Sequence, residues 1–264
     1  MPWLNNFQQW EPVLWAAVAC LLIQIAAWWY QSRINNADPV DIAWSIGVVV
    51  AALIYLFTIP ADFKPMVFVF VFPVLWYTRL SSHLIKRFDA SHEDGRYQNL
   101  RSHWQQHTQL KFLLFFLFQA MLSVMFSLPA FWVLTAGIAS VWLWIMALIW
   151  GGLSLAGVSL ADHQLLQFKR NNPSSAVCDV GLWRYSRHPN YFFEWLHWWV
   201  YPMVLWGSDF FWWSLLVVGL MLVFLLKLTG IPYAEQQALK NRGQAYRDYM
   251  NKTNAFFPWR QQHD

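Results

Sequence analysis

The segment 112–161 contains 50 consecutive residues without a single Asp, Glu, Lys or Arg. One helix of that length would extend about 75 Å at about 1.5 Å per residue. That is more than twice the hydrocarbon thickness of a bilayer, which is about 30 Å. The chain must therefore turn back inside this segment, and Pro129 is the natural turning point because proline interrupts a helix. Two consecutive membrane-spanning helices explain the segment.

The composition agrees with an integral membrane protein. Of the 264 residues, 58% are hydrophobic and 12% are charged, whereas globular domains carry about 25% charged residues. A spanning helix needs about 20 mostly apolar residues, and seven segments meet that need. We therefore predict an all-α integral membrane protein, with one polytopic domain over 1–264. The predicted spans cover 13–30, 40–59, 65–85, 112–128, 131–160, 191–206 and 210–226.

Basic residues predict the orientation of these spans, because they concentrate in cytoplasmic loops. Seven spans place all but Lys64 and Arg79 of the 18 Lys and Arg residues on one side. The N-terminus is then outside and the C-terminus is in the cytosol. The cytosolic loop 81–111 is predicted either to cover an anion as a lid or to be solvated. We expect an interfacial helix over 233–250, followed by aromatic residues 256–259 docked at the membrane interface.

The most unusual run is 181–195, Gly-Leu-Trp-Arg-Tyr-Ser-Arg-His-Pro-Asn-Tyr-Phe-Phe-Glu-Trp. Pro189 suits the first turn of a helix, and the free N–H groups of that turn attract anions. Arg184, Arg187 and His188 come directly before it. Arginine suits phosphate because its planar guanidinium binds two oxygens. The run predicts a phosphate-bearing cofactor, although basic residues before a cytosolic helix also follow the positive-inside rule.

A second set of polar residues continues into the following helix. Asn190 and Glu194 are four residues apart and therefore share one helical face, which His197 and Trp198 continue. The positive-inside rule does not account for this pair. Asp162 follows the fifth predicted span, at its C-terminal end. A negative charge is unfavourable there, because the helix dipole is negative at that end. Asp162 should therefore have a partner, either a ribose hydroxyl or an arginine.

With these residues in place, the run 181–194 and the upstream Asp162 resemble the bacterial branch of the steroid 5α-reductase family of membrane reductases. The resemblance is strongest over 156–264. Sterol C14-reductases have a similar Arg-His-Pro-Asn-Tyr run, and isoprenylcysteine carboxyl methyltransferases share Arg-His-Pro followed by Tyr. An Asn and an acid at the spacing of Asn190 and Glu194 are typical of the reductases.

The resemblance implies NADPH-dependent reduction of a carbon–carbon double bond conjugated to a ketone. The substrate would be lipid-like or steroid-like and would enter from the bilayer, with its carbonyl held by Tyr77 and Asp41. The protein would lie in a bacterial inner membrane, with the cofactor site facing the cytosol. The NADPH-binding residues that the resemblance implies are Asp162, Lys169, Arg184, Arg187, His188, Asn190, Glu194, Trp198 and Lys227.

Two residues depart from the reductase pattern. Phe193 stands where the family usually has Gly before the acid, and Val158 stands where it has Asn. Phe193 either narrows the cofactor channel or faces lipid. Gly151, Gly152 and Gly157 on the fifth span predict ordinary close packing between helices.

Two other functions fit the same residues. One is a methyltransferase that uses S-adenosylmethionine, a cofactor without phosphates, on a lipid or prenylated substrate. The other is a non-enzymatic lipid-binding membrane protein. Nucleic acid is not an expected partner, since no basic stripe with interleaved exposed aromatics is present. Cys20 and Cys178 are too far apart in the chain to predict a disulfide or a metal site.

Overall fold

The structure, a computed structural model, describes residues 2–228 and 230–261, with side chains from Trp10 onward. The described chain is helical and contains no strand. Its contacts define two units, Met1–Ala139 and Ser140–Asp264, called here the N-terminal and C-terminal units.

In the N-terminal unit, three long helices pack against one another: α1, α2 and α6. Asn35 ends α1 in the left-handed conformation, with a φ of 53°. Pro39 begins α2, where a missing N–H costs nothing. A π-helical stretch, Phe70–Leu75, joins α3 to α4 and contains Pro73. The helices are α1 (Pro2–Ile34), α2 (Pro39–Thr58), α3 (Phe63–Val69), α4 (Trp76–Arg87), α5 (Gly95–His103) and α6 (Thr108–Ala136).

In the C-terminal unit, the long helix α7 packs against the short helices α8 and α9. A 3₁₀ turn at Gly181–Arg184 precedes α8, and a π-helical stretch, Phe224–Leu228, follows α10. The helices are α7 (Val141–Asn171), α8 (Pro189–His197), α9 (Val200–Val204), α10 (Phe211–Val223) and α11 (Ile231–Lys252).

The prediction that the chain turns at Pro129 is wrong. Helix α6 runs through Pro129 and ends at Ala136. The turn follows at Gly137, whose φ of 75° favours glycine, and the Ser140 side chain caps α7 by accepting the Leu143 N–H. Proline is tolerated inside membrane helices because neighbouring groups can satisfy the freed carbonyl.

Six helical runs are long and apolar enough to cross a membrane, so the chain is an integral membrane protein by length and composition. The apolar part of the last run is α10 with its π-helical stretch, since α11 is mostly polar. The predicted span 191–206 consists of α8 and α9, with turns at Trp198 and Trp199. Seven spans and their orientation therefore stay predictions. The six runs are Trp10–Ile34, Pro39–Thr58, Phe63–Arg87, Thr108–Ala136, Val141–Asn171 and Phe211–Lys252.

Candidate functional site

The 3₁₀ turn before α8 is anchored to the C-terminal part of α7, the part that is predicted to lie toward the cytosol. Gly181 has a φ of 59°, and a Cβ at this position would lie 2.4 Å from the Gln164 side chain. Gln164 Oε1 accepts the Leu182 N–H at 2.9 Å. The Trp183 indole N–H donates to the Ala161 carbonyl at 2.9 Å. A side chain at 181 would be strained by the positive φ and would displace Gln164, which holds the Leu182 N–H.

Arg187 joins three separate parts of the C-terminal unit. Its Nε donates to Glu235 Oε1 at 2.7 Å. Its Nη1 donates to the carbonyls of Met250, at 3.0 Å, and Thr253. Its backbone N–H donates to the Asn254 carbonyl at 2.9 Å. The Arg187 side chain is only 10% exposed, so this predicted phosphate ligand serves as a structural hub in the structure.

A bend in α11 makes this arrangement possible. Glu235 and Met250 are 15 residues apart and would be separated by about 22 Å along a straight helix. Gly243 has non-helical angles, with φ 53° and ψ −124°, and breaks α11 into two pieces. Both pieces can then reach Arg187. The helix predicted over 233–250 is present as α11, whereas the break at Gly243 was not predicted.

His188 also contacts Glu235. Its ring is buried, and Nε2 lies 3.3 Å from Glu235 Oε1. The ring stacks on Tyr191 with 5.4 Å between centroids. Burial alone would raise the pKa of Glu235, but hydrogen bonds from His188 and Arg187 and the charge of Arg187 outweigh it and lower that pKa. Glu235 is therefore the common acceptor for two motif side chains.

The C-terminal segment is bound to the same loop. Ser186 Oγ donates to the Phe256 carbonyl at 2.8 Å, and the Trp259 N–H donates to the Tyr185 carbonyl at 2.9 Å. Phe256 is buried and packs against Phe192, while Trp259 is exposed. Of the aromatic residues at 256–259 that were predicted to dock at the membrane interface, Phe256 is therefore packed inside the C-terminal unit and Trp259 is exposed.

Asp162 and Asn190 meet across α7 and α8. Asn190 Nδ2 donates to Asp162 Oδ1 at 3.2 Å, although the two residues are 28 positions apart. Asn190 Oδ1 accepts the Tyr191 N–H at 3.0 Å. One partner of Asp162 is therefore the Asn190 amide.

The other implied cofactor residues lie in the same unit at different depths. Lys169 and Arg184 are exposed, and so is Lys227 after α10. Trp198 is buried. Glu194 is partly buried, one turn beyond Asn190 on α8. The structure brings Asp162 and Asn190 into contact, and it connects Arg187 and His188 through Glu235. NADPH contact stays a prediction for all of these residues.

Phe193 packs directly over Gly157 of α7. A Cβ on Gly157 would lie 2.3 Å from the Phe193 ring, so the two positions are matched in size. The Phe193 side chain therefore fills the space beside Gly157 between α7 and α8. Close helix packing was the role predicted for Gly157. Val158, the other departure, is also buried.

Asp41 lies in a different network, in the N-terminal unit. Its Oδ2 accepts from Arg96 Nη2 at 3.0 Å, and its Oδ1 accepts from the Tyr97 hydroxyl at 2.8 Å. Burial raises the pKa of Tyr97, and the charge of Asp41 raises it further. Both carboxylate oxygens of Asp41 thus accept a hydrogen bond from α5.

The loop 81–111 is ordered by the same kind of contact. Asp94 caps α5 by accepting the Arg96 N–H at 2.9 Å, and its own N–H donates to Asp38 Oδ1 at 2.9 Å. Glu93 accepts from Arg101 Nη2 at 2.8 Å and from the Ala37 N–H at 2.7 Å. Glu93, Asp94 and Arg96 therefore fasten α5 to residues 37–41 at the start of α2. Most other residues of 81–111 are exposed or partly exposed.

Tyr77 is buried in α4, where its ring packs edge-on against Trp44 with 5.6 Å between centroids. Ser81 Oγ lies within hydrogen-bonding distance of both the Tyr77 carbonyl, at 2.7 Å, and Ser45 Oγ, at 2.9 Å. Tyr97 is the tyrosine that binds Asp41. The sequence analysis missed this pair because 56 residues separate the two. The capping residue Asp94 was the local signal that a helix begins there.

Comparison with known proteins gives one match. Residues 27–253 match the model of a family described as protein of unknown function (DUF1295). The chain belongs to this family. The DUF1295 family is related to steroid 5α-reductase-like membrane proteins. No curated protein and no solved structure matches this DUF1295 protein. Within residues 10–228 and 230–261, no cluster of three or more His, Cys, Asp or Glu side chains suits a metal ion.

Proposed function

We propose that this DUF1295 protein is an NADPH-dependent membrane reductase of the steroid 5α-reductase type. Its reaction would be the reduction of a carbon–carbon double bond conjugated to a ketone in a lipid-like substrate. The observation that supports this proposal most is the Asn190–Asp162 contact, with Glu194 one turn further along α8. Asn190 and Glu194 distinguish the reductase resemblance from the methyltransferase one. Asn190 is in contact with Asp162, which the resemblance also assigns to the cofactor.

The chemistry of these side chains suits a dinucleotide. An asparagine amide can both donate and accept, and carboxylates accept from ribose hydroxyls. Lys169 in the last turn of α7 and Arg184 in the 3₁₀ turn are exposed cations and are the proposed phosphate ligands. Lys227 and the buried Trp198 complete the residues assigned to the cofactor. When bound, NADPH supplies the hydride, and the protein supplies placement and electrostatics.

Within the motif, Arg187 and His188 act by holding the start of α8. Most of their polar groups are engaged by Glu235 and by the carbonyls of the C-terminal segment. We therefore propose that they support the cofactor site by fixing the first turn of α8. This assignment narrows the four basic candidates to Arg184 and Lys169 for direct phosphate contact.

For the substrate ketone, we propose Tyr77 as the hydrogen-bond donor. A tyrosine hydroxyl can stabilise the negative charge that develops on a carbonyl oxygen as an enolate forms. Asp41 accepts from Arg96 and Tyr97, so its proposed role is to fasten α5 to α2.

We further propose seven spans in a bacterial inner membrane, with the cofactor site facing the cytosol. The distribution of the 18 Lys and Arg residues supports this orientation. In this proposal, α8 and α9 together form the short sixth span. Labelling of single cysteines at positions 64 and 240 by a membrane-impermeant thiol reagent, in a background lacking Cys20 and Cys178, tests it. The proposal requires reaction from outside at position 64 only.

The function is tested by titrating the detergent-solubilised protein with NADPH and with S-adenosylmethionine. A ligand at 100 times its Kd stabilises the folded state by about 2.7 kcal/mol, so the expected result is a rise in Tm with NADPH alone. Asn190→Ala should raise the Kd for NADPH by about tenfold or more, because it removes a hydrogen bond. Glu194→Gln should also raise that Kd, because it removes the negative charge and one of the two acceptor oxygens.

The matched control is Gln167→Ala, an exposed position on α7, which should leave the Kd unchanged. Stabilisation by S-adenosylmethionine instead of NADPH would establish the methyltransferase alternative. Stabilisation by neither cofactor would support the lipid-binding alternative and overturn the reductase.

A further inference from the structure

We propose that Glu235 is a positioning residue for the cofactor site at the start of α8. It acts through Arg187 and His188 and does not touch the cofactor itself. The inference rests on the proposed function, which assigns the cofactor to the Asn190–Glu194 face. The sequence offers no local sign of this role, since Glu235 is 47 positions beyond His188 and lies in a polar helix.

The first step of the argument is that one carboxylate oxygen binds both motif side chains. Glu235 Oε1 accepts from Arg187 Nε at 2.7 Å and lies 3.3 Å from His188 Nε2. The side chains of Glu235, Arg187 and His188 are 15%, 10% and 7% exposed. A charge-assisted hydrogen bond in such a shielded place has a fixed geometry and is stronger than one in water.

The second step links this contact to the helix start. His188 occupies the N-cap position of α8, and Pro189 and Asn190 form its first turn. The His188 backbone N–H donates to Ser186 Oγ at 3.1 Å, and its ring stacks on Tyr191. His188 is thus held from three sides: by Glu235, by Ser186 and by Tyr191. Removing Glu235 frees the side that faces α11.

The third step is that the function of a binding face depends on the exact positions of its polar groups. Asn190 follows His188 by two residues and is in contact with Asp162 at 3.2 Å. A displacement of about 1 Å in a positioned group can cost on the order of 100-fold in catalytic efficiency. A loosened N-cap at His188 moves the Asn190 amide relative to Asp162, so Glu235 controls the geometry of a contact that it does not make.

The experiment compares Glu235→Ala with Glu235→Gln in the full-length protein in detergent. Glutamine keeps an oxygen acceptor for Arg187 and His188, whereas alanine keeps none. The control is Asp248→Asn, an exposed acid on the same helix that bonds only to Gln244 in the described contacts. Each variant is purified as a monodisperse fraction, and the Kd for NADPH is measured at low temperature, where all variants are folded.

The second readout is amide hydrogen exchange of the peptide covering 188–195, measured without any cofactor. Glu235→Ala should increase exchange at the start of α8 and raise the Kd for NADPH by about tenfold or more. Glu235→Gln should recover most of both effects, and Asp248→Asn should show neither.

The outcomes separate this inference from the proposed function. Unchanged exchange over 188–195 in Glu235→Ala overturns the positioning role, whatever binds. Increased exchange with an unchanged Kd also overturns it, because α8 would then be loosened without effect on the cofactor. If the wild-type protein does not bind NADPH, the proposed function fails and the cofactor role of Glu235 fails with it, while the exchange result still reports whether Glu235 holds α8.

Discussion

Each of the two units uses an acid and an arginine to fasten a loop to a helix, but the surroundings differ. In the N-terminal unit, Arg96 and Asp41 form a 3.0 Å ion pair with side chains that are 36% and 31% exposed. In the C-terminal unit, Arg187 and Glu235 form a 2.7 Å pair that is only 10% and 15% exposed. Water screens the first pair far more than the second.

The difference teaches that similar charged residues near the ends of spans can have very different energetic importance. The Arg96–Asp41 pair, about one-third exposed, contributes less, because water can solvate each partner when the other is removed. A shielded pair leaves an unsolvated charge when one partner is lost. The C-terminal unit should therefore depend on its pair, and the N-terminal unit should depend more on the packing around Tyr97, which belongs to a cluster with Phe112 and Phe116.

The largest effect should come from Arg187→Ala, which leaves Glu235 shielded and without its guanidinium. We expect a loss of about 3–5 kcal/mol in unfolding free energy. Arg96→Ala should cost about 1 kcal/mol or less. Thermal unfolding in detergent, followed by loss of monodispersity, measures both. Arg184→Ala is the matched control at an exposed arginine. Equal losses for Arg96→Ala and Arg187→Ala would contradict the distinction between the units.

An intermediate effect should come from Gly157→Ala, which would bring a Cβ to 2.3 Å from the Phe193 ring. Overpacking of this kind costs about 1–3 kcal/mol. The control is Gly152→Ala, where no atom lies within 4 Å of the added Cβ, and which should stabilise α7 by up to about 1 kcal/mol.

Phe193→Ala provides the test of specificity for that contact. In the Phe193→Ala background, Gly157→Ala should lose most of its cost, because the clashing ring is gone. A full cost in that background would show that the strain comes from another neighbour.

The smallest effect should be a difference in acid sensitivity between the units. The lowered pKa of Glu235 contributes stability that is present above its ordinary value of 4.5 and is lost as the pH falls through the lower folded value. In the N-terminal unit, Arg96 lowers the pKa of Asp94 despite burial, while burial raises the pKa of Asp38. Protonation of Asp38 therefore favours the folded state at acid pH and offsets the loss at Asp94.

Hydrogen-exchange protection factors, corrected for the intrinsic pH dependence, should accordingly fall further over 185–190 than over 94–101 as the pH is lowered from about 5 to about 3. Glu235→Gln should remove most of the fall over 185–190. A greater loss over 94–101 would contradict the assignment of the opposing shifts.

Much of the fold was predictable from local sequence. The absence of charge over 112–161 required two membrane helices, and the structure has α6 and α7 there. The turn was predicted at Pro129, but α6 continues through this proline and ends before Gly137. The stronger local signals were Gly137 and Ser140, which caps α7. The span 191–206 was read from hydropathy, which does not detect the turns that divide α8 from α9.

The candidate site was predictable only in part. The pair Asn190 and Glu194 follows from helical spacing, and Asp162 was expected to have a partner. That Asn190 is this partner depends on how α7 and α8 pack. Tyr97 and Glu235 were missed as partners of Asp41 and Arg187, because contacts across about 50 residues leave no periodic signal in one sequence.

The sequence by itself determined the class of this protein, the approximate positions of its apolar helices and the polar run before α8. These depend on hydropathy and spacing, which are local properties. Only the tertiary structure decided which charges are shielded. The bend at Gly243 brings both pieces of α11 to Arg187, and an arginine suited to phosphate becomes a hub. The reason is that a charge must find compensation wherever the fold removes water, and only the folded chain shows where that happens.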